Sequence, residues 1–249
     1  MSNFLFKLSI FVFLVLFSVN LKALEFEAES VNNDFKAVNL KAFYGYIDSD
    51  APFLSDKNHY YYEVETIARK GKWDLYGFTD LQVNSGQVNY DFFKYIVKYE
   101  VLSNNKLFIV AEAKETFGDQ KSDAFIGLGT SFAIPVIGNL NINAMYFMAN
   151  EDNYGNKLEL PFMLQFSWYN ELGKIGNTGL TVYHGGWADV DFFEKRKDTE
   201  QNKYAIQAYE GIGINYETYA TEIGYKYWNG MGGNDFTANS LFVYLIKRF

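Results

Sequence analysis

The sequence lacks cysteine and has little proline, histidine or positive charge. It contains no cysteine, three prolines and two histidines, and its 22 Lys and Arg residues are outnumbered by 30 Asp and Glu residues. The absence of cysteine excludes disulfide bonds and thiolate chemistry. The formal net charge of −8 argues against nucleic-acid binding, because proteins that bind nucleic acids need a basic surface.

Long apolar runs are also missing, with one exception near the N-terminus. Lys7 is followed by an apolar run over residues 8–19, which has roughly the length of a signal-peptide core and is too short to span a membrane comfortably. Ala23 is the best cleavage position, so we predict a signal peptide over residues 1–23 and one barrel domain over residues 24–249. A single N-terminal anchor helix is the alternative. No later segment has the roughly 18 consecutive apolar residues of a transmembrane helix.

Aromatic residues, in contrast, are abundant. The chain has 24 Phe and 20 Tyr, yet its mean hydropathy is only −0.17. A helical membrane protein would be far more apolar, and a soluble domain is rarely so aromatic. Strands whose side chains alternate between lipid and water, with aromatic belts at the membrane interfaces, account for both values.

Residues 60–83 show such alternation most clearly, with a break at residues 70–72. Because side chains alternate across a strand, the segment predicts a hairpin with one apolar face and one charged, aromatic face. In the second strand, Trp73 and Leu75 begin the apolar face, and Asp74 and Tyr76 begin the charged face.

The same two-residue period recurs along the chain and predicts about twelve strands. Most of them have a length of about 9–11 residues, as a tilted membrane strand requires. It is clear in residues 38–44, 93–101, 107–113, 124–132, 140–148, 160–168, 219–228 and 241–249, and weaker in residues 179–187 and 204–217. A soluble β-sandwich is the alternative, but it would have sheet edges to protect. We therefore predict an all-β fold, a transmembrane antiparallel β-barrel in the outer membrane of a Gram-negative bacterium.

The predicted connections alternate in length. Short turns near residues 69–72, 102–105, 135–138, 171–176 and 218 alternate with mostly longer polar segments at residues 47–58, 84–90, 117–121, 150–157, 188–202 and 229–237. This is typical of outer-membrane barrels, which have short periplasmic turns and longer extracellular loops. An even strand count places both termini in the periplasm. The aromatic last residue, Phe249, resembles the signal read by the barrel-assembly machinery, so we expect that machinery, outer-membrane lipid and lipopolysaccharide as partners.

If the apolar faces meet lipid, the charged and aromatic faces line the lumen. Aromatic rings beside carboxylates and ammonium groups suit a solute with an aromatic base and a hydroxylated sugar, because the base stacks and the hydroxyls form hydrogen bonds. Charges that merely neutralise one another around water, as in a general small-solute porin, are the alternative. The candidate substrate-binding residues are Tyr61, Glu63, Glu65, Asp74, Tyr76, Phe78, Asp80, Lys94, Lys98 and Phe108.

Three segments resemble the Tsx-type (OmpK-like) family of nucleoside-specific channels of the bacterial outer membrane. The three segments are residues 60–81, residues 122–132 and residues 223–230. The second of them resembles a mid-barrel strand of the family that contains the sequence GLGT. The residues that match the family in the first segment are Asp74, Tyr76, Gly77, Phe78 and Asp80. The resemblance implies a monomeric twelve-stranded barrel with a narrow lumen that binds and passes nucleosides. The chain departs from the family at residues 188–202 and at Lys247, where an aromatic residue is common.

An outer-membrane enzyme and a surface receptor built on the loops are the alternative functions. Lipases on twelve-stranded barrels need a Ser two residues after a His, whereas His184 is followed by residues 185–187, Gly-Gly-Trp. Pairing of His59 with Asp56 has no support. We expect no catalytic residue, no cofactor and no metal site. A set of acidic residues is irregularly spaced, matches no calcium loop and is interpreted as a solvated loop. The set comprises Asp189, Asp191, Glu194, Asp198 and Glu200.

Overall fold

The chain folds into a closed barrel of antiparallel strands. The computed structural model describes residues 35–49, 58–84, 87–102, 106–116, 121–148, 159–194, 204–229 and 237–249. The strands in these ranges are β1 (Phe35–Ser49), β2 (Asn58–Lys70), β3 (Trp73–Asn84), β4 (Gln87–Leu102), β5 (Leu107–Thr116), β6 (Lys121–Ile134), β7 (Gly138–Phe147), β8 (Glu159–Lys174), β9 (Leu180–Glu194), β10 (Tyr204–Tyr216), β11 (Tyr219–Asn229) and β12 (Thr237–Arg248). No helix in the described ranges is long and apolar enough to cross a membrane. The predicted signal peptide lies outside the described residues.

Pairing of the first and last strands closes the barrel. The ladder between β1 and β12 runs from Asn39 opposite Arg248 to Ser49 opposite Ala238. It is extended by Phe249, whose N–H donates to the Val38 carbonyl at 2.9 Å. Closure leaves no strand edge, which lipid requires because unpaired backbone groups cost several kcal/mol there. The predicted antiparallel barrel of about twelve strands is confirmed.

Side chains alternate between an apolar outer wall and a largely polar inner wall. On β1, Val38 and Leu40 are 40% and 44% exposed on the outside, whereas Asn39 between them is 7% exposed and turned inward. On β2, Tyr60 is exposed and Glu65 is buried. The outer wall is apolar and aromatic because it faces lipid. The two faces predicted for the hairpin of residues 60–83 are therefore confirmed.

The connections differ between the two ends of the barrel. At the end that we call the turn end, Gly71 and Lys72 join β2 to β3, and Gly71 adopts a positive φ of 56°, which glycine tolerates best. Phe35, opposite Arg69 near this turn, and the last residue, Phe249, lie at the same end. The opposite end, the loop end, carries mostly longer connections. This agrees with the predicted alternation of turns and loops.

Two of the predicted loops are wrong in extent. Most of residues 84–90 is strand, since β3 reaches Asn84 and β4 begins at Gln87. The predicted loop over residues 188–202 is strand up to Glu194. Asp189 and Asp191, expected in a solvated loop, therefore lie in β9, where their polarity reflects the inner wall of the barrel and not exposure on a loop.

One polar cluster lies on the outer wall and links the β6–β7 turn to β10. Glu210 accepts a hydrogen bond from Trp168 Nε1 at 2.7 Å and lies 3.0 Å from His184 Nδ1. His184 Nε2 lies 3.0 Å from the carbonyl oxygen of Val136, which also accepts from Asn170 at 2.6 Å. The carboxylate and the carbonyl are both acceptors, so in this geometry both ring nitrogens of His184 donate. The imidazole is then a cation paired with Glu210.

We expect His184→Ala to lower the free energy of unfolding by about 1–3 kcal/mol, because Glu210 and the Val136 carbonyl each lose a donor. Urea unfolding of the barrel in lipid vesicles, followed by tryptophan fluorescence, measures this change. Val182→Ala, on the same face of β9, is the control. An equal loss of stability in both variants would contradict the linking role of His184.

We also expect the folded barrel to resist unfolding in cold SDS, because every strand is paired on both sides. An unheated sample should therefore migrate faster on an SDS gel than a boiled one. Identical mobility of the two samples, after extraction of the protein from the membrane fraction, would argue against a closed barrel.

Candidate functional site

A connected cluster of charged side chains covers the inner wall of β1–β3. Lys41 forms ion pairs with Glu63 at 2.6 Å and with Glu65 at 3.1 Å. Glu65 also accepts hydrogen bonds from Asn39 at 2.5 Å and from the Tyr76 hydroxyl at 3.1 Å. The structure thus brings the candidates Glu63, Glu65 and Tyr76 together. Both carboxylate oxygens of Glu65 are therefore bonded to neighbouring side chains of the inner wall, and these bonds hold β1, β2 and β3 together.

The other candidates on β2 and β3 are in different surroundings. Tyr61 stacks on Phe43, with ring centroids 5.1 Å apart and an interplanar angle of 12°. Phe78 packs against Phe92 at a centroid distance of 5.7 Å. Asp74 forms an ion pair with Arg69 at 2.8 Å, close to the β2–β3 turn and away from these rings. Asp80 lies opposite Glu63 in the β2–β3 ladder.

Two of the three candidates on β4 and β5 are buried, and the third, Lys98, is half-buried. Lys94 is buried and forms ion pairs with Asp189 at 2.8 Å and Glu112 at 3.5 Å. Phe108 is buried in an apolar cluster inside the barrel, and the Lys98 ammonium lies 5.9 Å from its ring centroid. Lys94 and Phe108 therefore offer little free surface to a solute.

A second cluster of rings and polar groups lies on β9–β11 and contains none of the candidates predicted from the sequence. The Lys226 ammonium lies 5.3 Å from the Trp187 ring and 4.7 Å from the Trp228 ring. With the Gln207 amide turned to match its neighbours, its oxygen accepts from Lys226 at 3.1 Å and from Trp228 Nε1 at 2.7 Å. Lys226 also interacts electrostatically with Asp80 on the β2–β3 wall. The β2–β3 wall and the β9–β11 cluster therefore line the same part of the lumen.

A row of contacting rings, which we call the aromatic band, connects these two walls. Its neighbouring ring centroids are 6.5 Å apart for Trp187 and Tyr209, 5.9 Å for Tyr209 and Tyr244, and 4.9 Å for Tyr244 and Phe43. Tyr61, stacked on Phe43, completes it. The band runs along the inner wall through β9, β10, β12, β1 and β2. Its Trp187 and Tyr209 lie in the two segments where the sequence period is weak, which explains why they were missed.

Among the described residues, no group of three or more His, Asp or Glu side chains could hold a metal ion. The side chains of His59 and Glu194 and the residues Asp198 and Glu200 lie outside the described part of the chain.

Residues 33–243 match the protein family described as the nucleoside-specific channel-forming protein Tsx. The chain belongs to this family. The match extends from just before β1 into β12, so the resemblance seen in three short segments covers nearly the whole barrel. A comparison with curated proteins gives no match. Family and fold together make this Tsx-family protein an outer-membrane channel, as predicted.

Solved structures of outer-membrane channels are similar in fold to this Tsx-family barrel. The NanC porin is 12% identical, with 83% of this chain and 98% of that chain covered and a TM-score of 0.51. The DcaP channel of Acinetobacter baumannii is 8% identical, with 90% of this chain and 99% of that chain covered and a TM-score of 0.48. At this identity, the likeness to the NanC porin shows a porin-like barrel and gives no information on the solute.

We expect Tyr76→Phe to lower the free energy of unfolding by about 1.5–3 kcal/mol, because its hydroxyl donates to the charged, buried Glu65. Equilibrium unfolding in lipid vesicles measures the loss. Tyr62→Phe, on the exposed outer wall, should leave the stability unchanged. If the two variants are equally stable, the hydrogen bond to Glu65 contributes nothing to the wall.

Proposed function

We propose that this outer-membrane channel takes up nucleosides. The aromatic band, with charged and amide groups beside it, is the observation that carries the proposal. The family is described as nucleoside-specific, which points to the same solutes. Only the identity of the solute is proposed, because the family and the fold already identify the protein as an outer-membrane channel.

The chemistry of a nucleoside is complementary to both parts of this inner wall. The aromatic base of a nucleoside stacks on flat rings such as Tyr61 and Trp187, which are half-buried and keep part of their surface free. The ribose hydroxyls form hydrogen bonds with ammonium, amide and carboxylate groups, as supplied by Lys226, Gln207 and Asp80. A neutral solute with this shape gains from both interactions, whereas a small ion gains from the charges alone.

The proposed site combines residues predicted from the sequence pattern with residues that the fold brings beside them. Tyr61, Glu63, Phe78 and Asp80 come from the alternation of β2 and β3. The added members come from β9–β11 and are Trp187, Gln207, Tyr209, Lys226 and Trp228. Six earlier candidates, Glu65, Asp74, Tyr76, Lys94, Lys98 and Phe108, support the wall around this site in our proposal.

Several partners expected from the sequence stay predictions. These predictions are contact with lipopolysaccharide and recognition by the barrel-assembly machinery through the strand that ends in Phe249. A monomeric state is likewise a prediction. The backbone pairing of Phe249 with Val38 and the 71% exposure of its side chain on the outer wall are compatible with recognition before closure.

We expect adenosine and thymidine to block the single-channel current, and Trp187→Ala or Tyr61→Ala to weaken that block about 5- to 150-fold. The estimate takes base stacking as worth about 1–3 kcal/mol per ring and about 1.4 kcal/mol per factor of ten. Conductance measurements in planar bilayers across a range of nucleoside concentrations give the apparent Kd.

Leu75→Ala on the outer face of β3 is the matched control and should retain the block of the wild type. A general small-solute porin, the alternative function, predicts no block in any of these proteins. Ion conduction without block by either nucleoside at millimolar concentration would therefore disprove the nucleoside proposal and leave the channel.

A further inference from the structure

The interior of the barrel is filled unequally. Inward-facing apolar residues of β4–β8 form one buried cluster. The members of this cluster are Ile96, Phe108, Val110, Phe125, Met145, Phe147 and Met163. Val110 and Met145 are 0% exposed, although they lie on the inner wall of a channel. In contrast, the rings of the aromatic band are half-buried. The buried apolar cluster beside the band is smaller and consists of Tyr183, Ala220 and Ile246.

A chain of polar contacts borders this apolar cluster. Asn143 donates to Gln165 at 2.7 Å, and Gln165 donates to Glu112 at 2.8 Å. Glu112 lies 3.5 Å from Lys94, which donates to Asp189 at 2.8 Å. All five side chains are buried. The chain links β7, β8, β5, β4 and β9, and two of its four steps, β8 to β5 and β4 to β9, pass between strands that are not neighbours.

The last step of this chain crosses the lumen. Lys94 is on β4 and Asp189 is on β9, and four strands, β5–β8, separate β4 from β9 along the shorter path around the barrel. A direct ion pair at 2.8 Å between such distant strands requires that the barrel is narrow at this level. The pair also reaches the aromatic band, because the Lys94 ammonium lies 5.6 Å from the Trp187 ring.

We propose that the Lys94–Asp189 ion pair is a crossbar that separates the lumen into a packed compartment and a conducting one. The packed compartment is bounded by β4–β8 and contains the apolar cluster. The conducting compartment is bounded by β9–β12 and β1–β3 and is lined by the aromatic band. Any solute, whether a nucleoside or a simple ion, then passes along the band and never between the crossbar and β6.

The crossbar also determines how wide the conducting compartment is. The ammonium groups of Lys94 and Lys226 lie 5.6 Å and 5.3 Å from the centroid of the Trp187 ring, so the ring interacts with one ammonium fixed in the crossbar and with another in the conducting compartment. The ammonium of Lys94 is fixed by two carboxylates, those of Asp189 and Glu112. Lys94 therefore positions Trp187 and limits the pore, and its role is distinct from direct contact with a solute.

Cysteine accessibility tests the division, since the native chain has no cysteine. Single cysteines replace Val110 and Met145 in the packed compartment and Phe78 and Tyr209 in the conducting one. A cationic methanethiosulfonate reagent is added while single-channel current is recorded. We expect the current to fall for Phe78→Cys and Tyr209→Cys and to stay constant for Val110→Cys and Met145→Cys. Equal loss of current in all four variants would overturn the proposal.

Removing the crossbar provides a second, independent measurement. In Lys94→Ala/Glu112→Gln/Asp189→Ala the ammonium and both carboxylates that it pairs with are removed together, so none of the three leaves an unpaired buried charge and folding is better preserved than in any single variant. The conductance should rise, because the lumen is no longer bridged at this level. Ser131→Ala/Asn141→Ala is the control, since it removes a polar pair between the adjacent strands β6 and β7, and its conductance should match the wild type.

An unchanged conductance in the crossbar variant, in channels whose heat-dependent gel mobility shows a folded barrel, would overturn the proposal. Neither measurement uses a nucleoside. Failure of the crossbar proposal and failure of the nucleoside proposal are therefore seen in separate experiments.

Discussion

The constraint on which the structure depends is the pairing of backbone groups in a medium without water. Lipid offers no partner to an exposed N–H or C=O, so a sheet is stable there only if its last strand pairs with its first. Pairing of β1 with β12 provides this closure. Once the sheet is closed, every strand has one face toward lipid and one toward the lumen. The two-residue period of the sequence follows directly from that geometry.

Closure also explains the character of the lumen. Inward side chains from opposite walls meet in a narrow space, so charged groups are buried and must be paired with one another. The ion pairs of Lys41 with Glu63 and of Lys94 with Asp189 meet this requirement in different ways, within one wall and across the lumen. Apolar residues fill one side, and the aromatic band covers the other. A narrow passage with one packed apolar side and one aromatic side suits a channel that selects its solute by shape and polarity.

Much of the barrel could be predicted from the sequence, because alternation is local and most strands show it. The inner and outer faces of β2 and β3 were predicted correctly for this reason. On β9 and β10 the period is weak, since Gly185 and Gly186 have no side chain to alternate and since His184 and Glu210 place polar groups on the outer wall. Asp189 was assigned to a loop because a polar residue that faces inward on a strand and a polar residue in a loop look the same in a sequence. Its pairing with Lys94, 95 residues away, depends on the shape of the closed barrel, which no local pattern contains.

The passage through the barrel exists only if the first and last strands pair, and disulfide formation between these strands tests the pairing most directly. Ala42 on β1 lies opposite Leu245 on β12, and the chain has no native cysteine. In a closed barrel, Ala42→Cys/Leu245→Cys forms an intramolecular disulfide on oxidation of the folded protein, seen as a reducible mobility shift on a denaturing gel. Ala42→Cys/Leu241→Cys, out of register on the same strands, should form little. Absence of the first bond, or equal formation of both, would contradict the closed barrel.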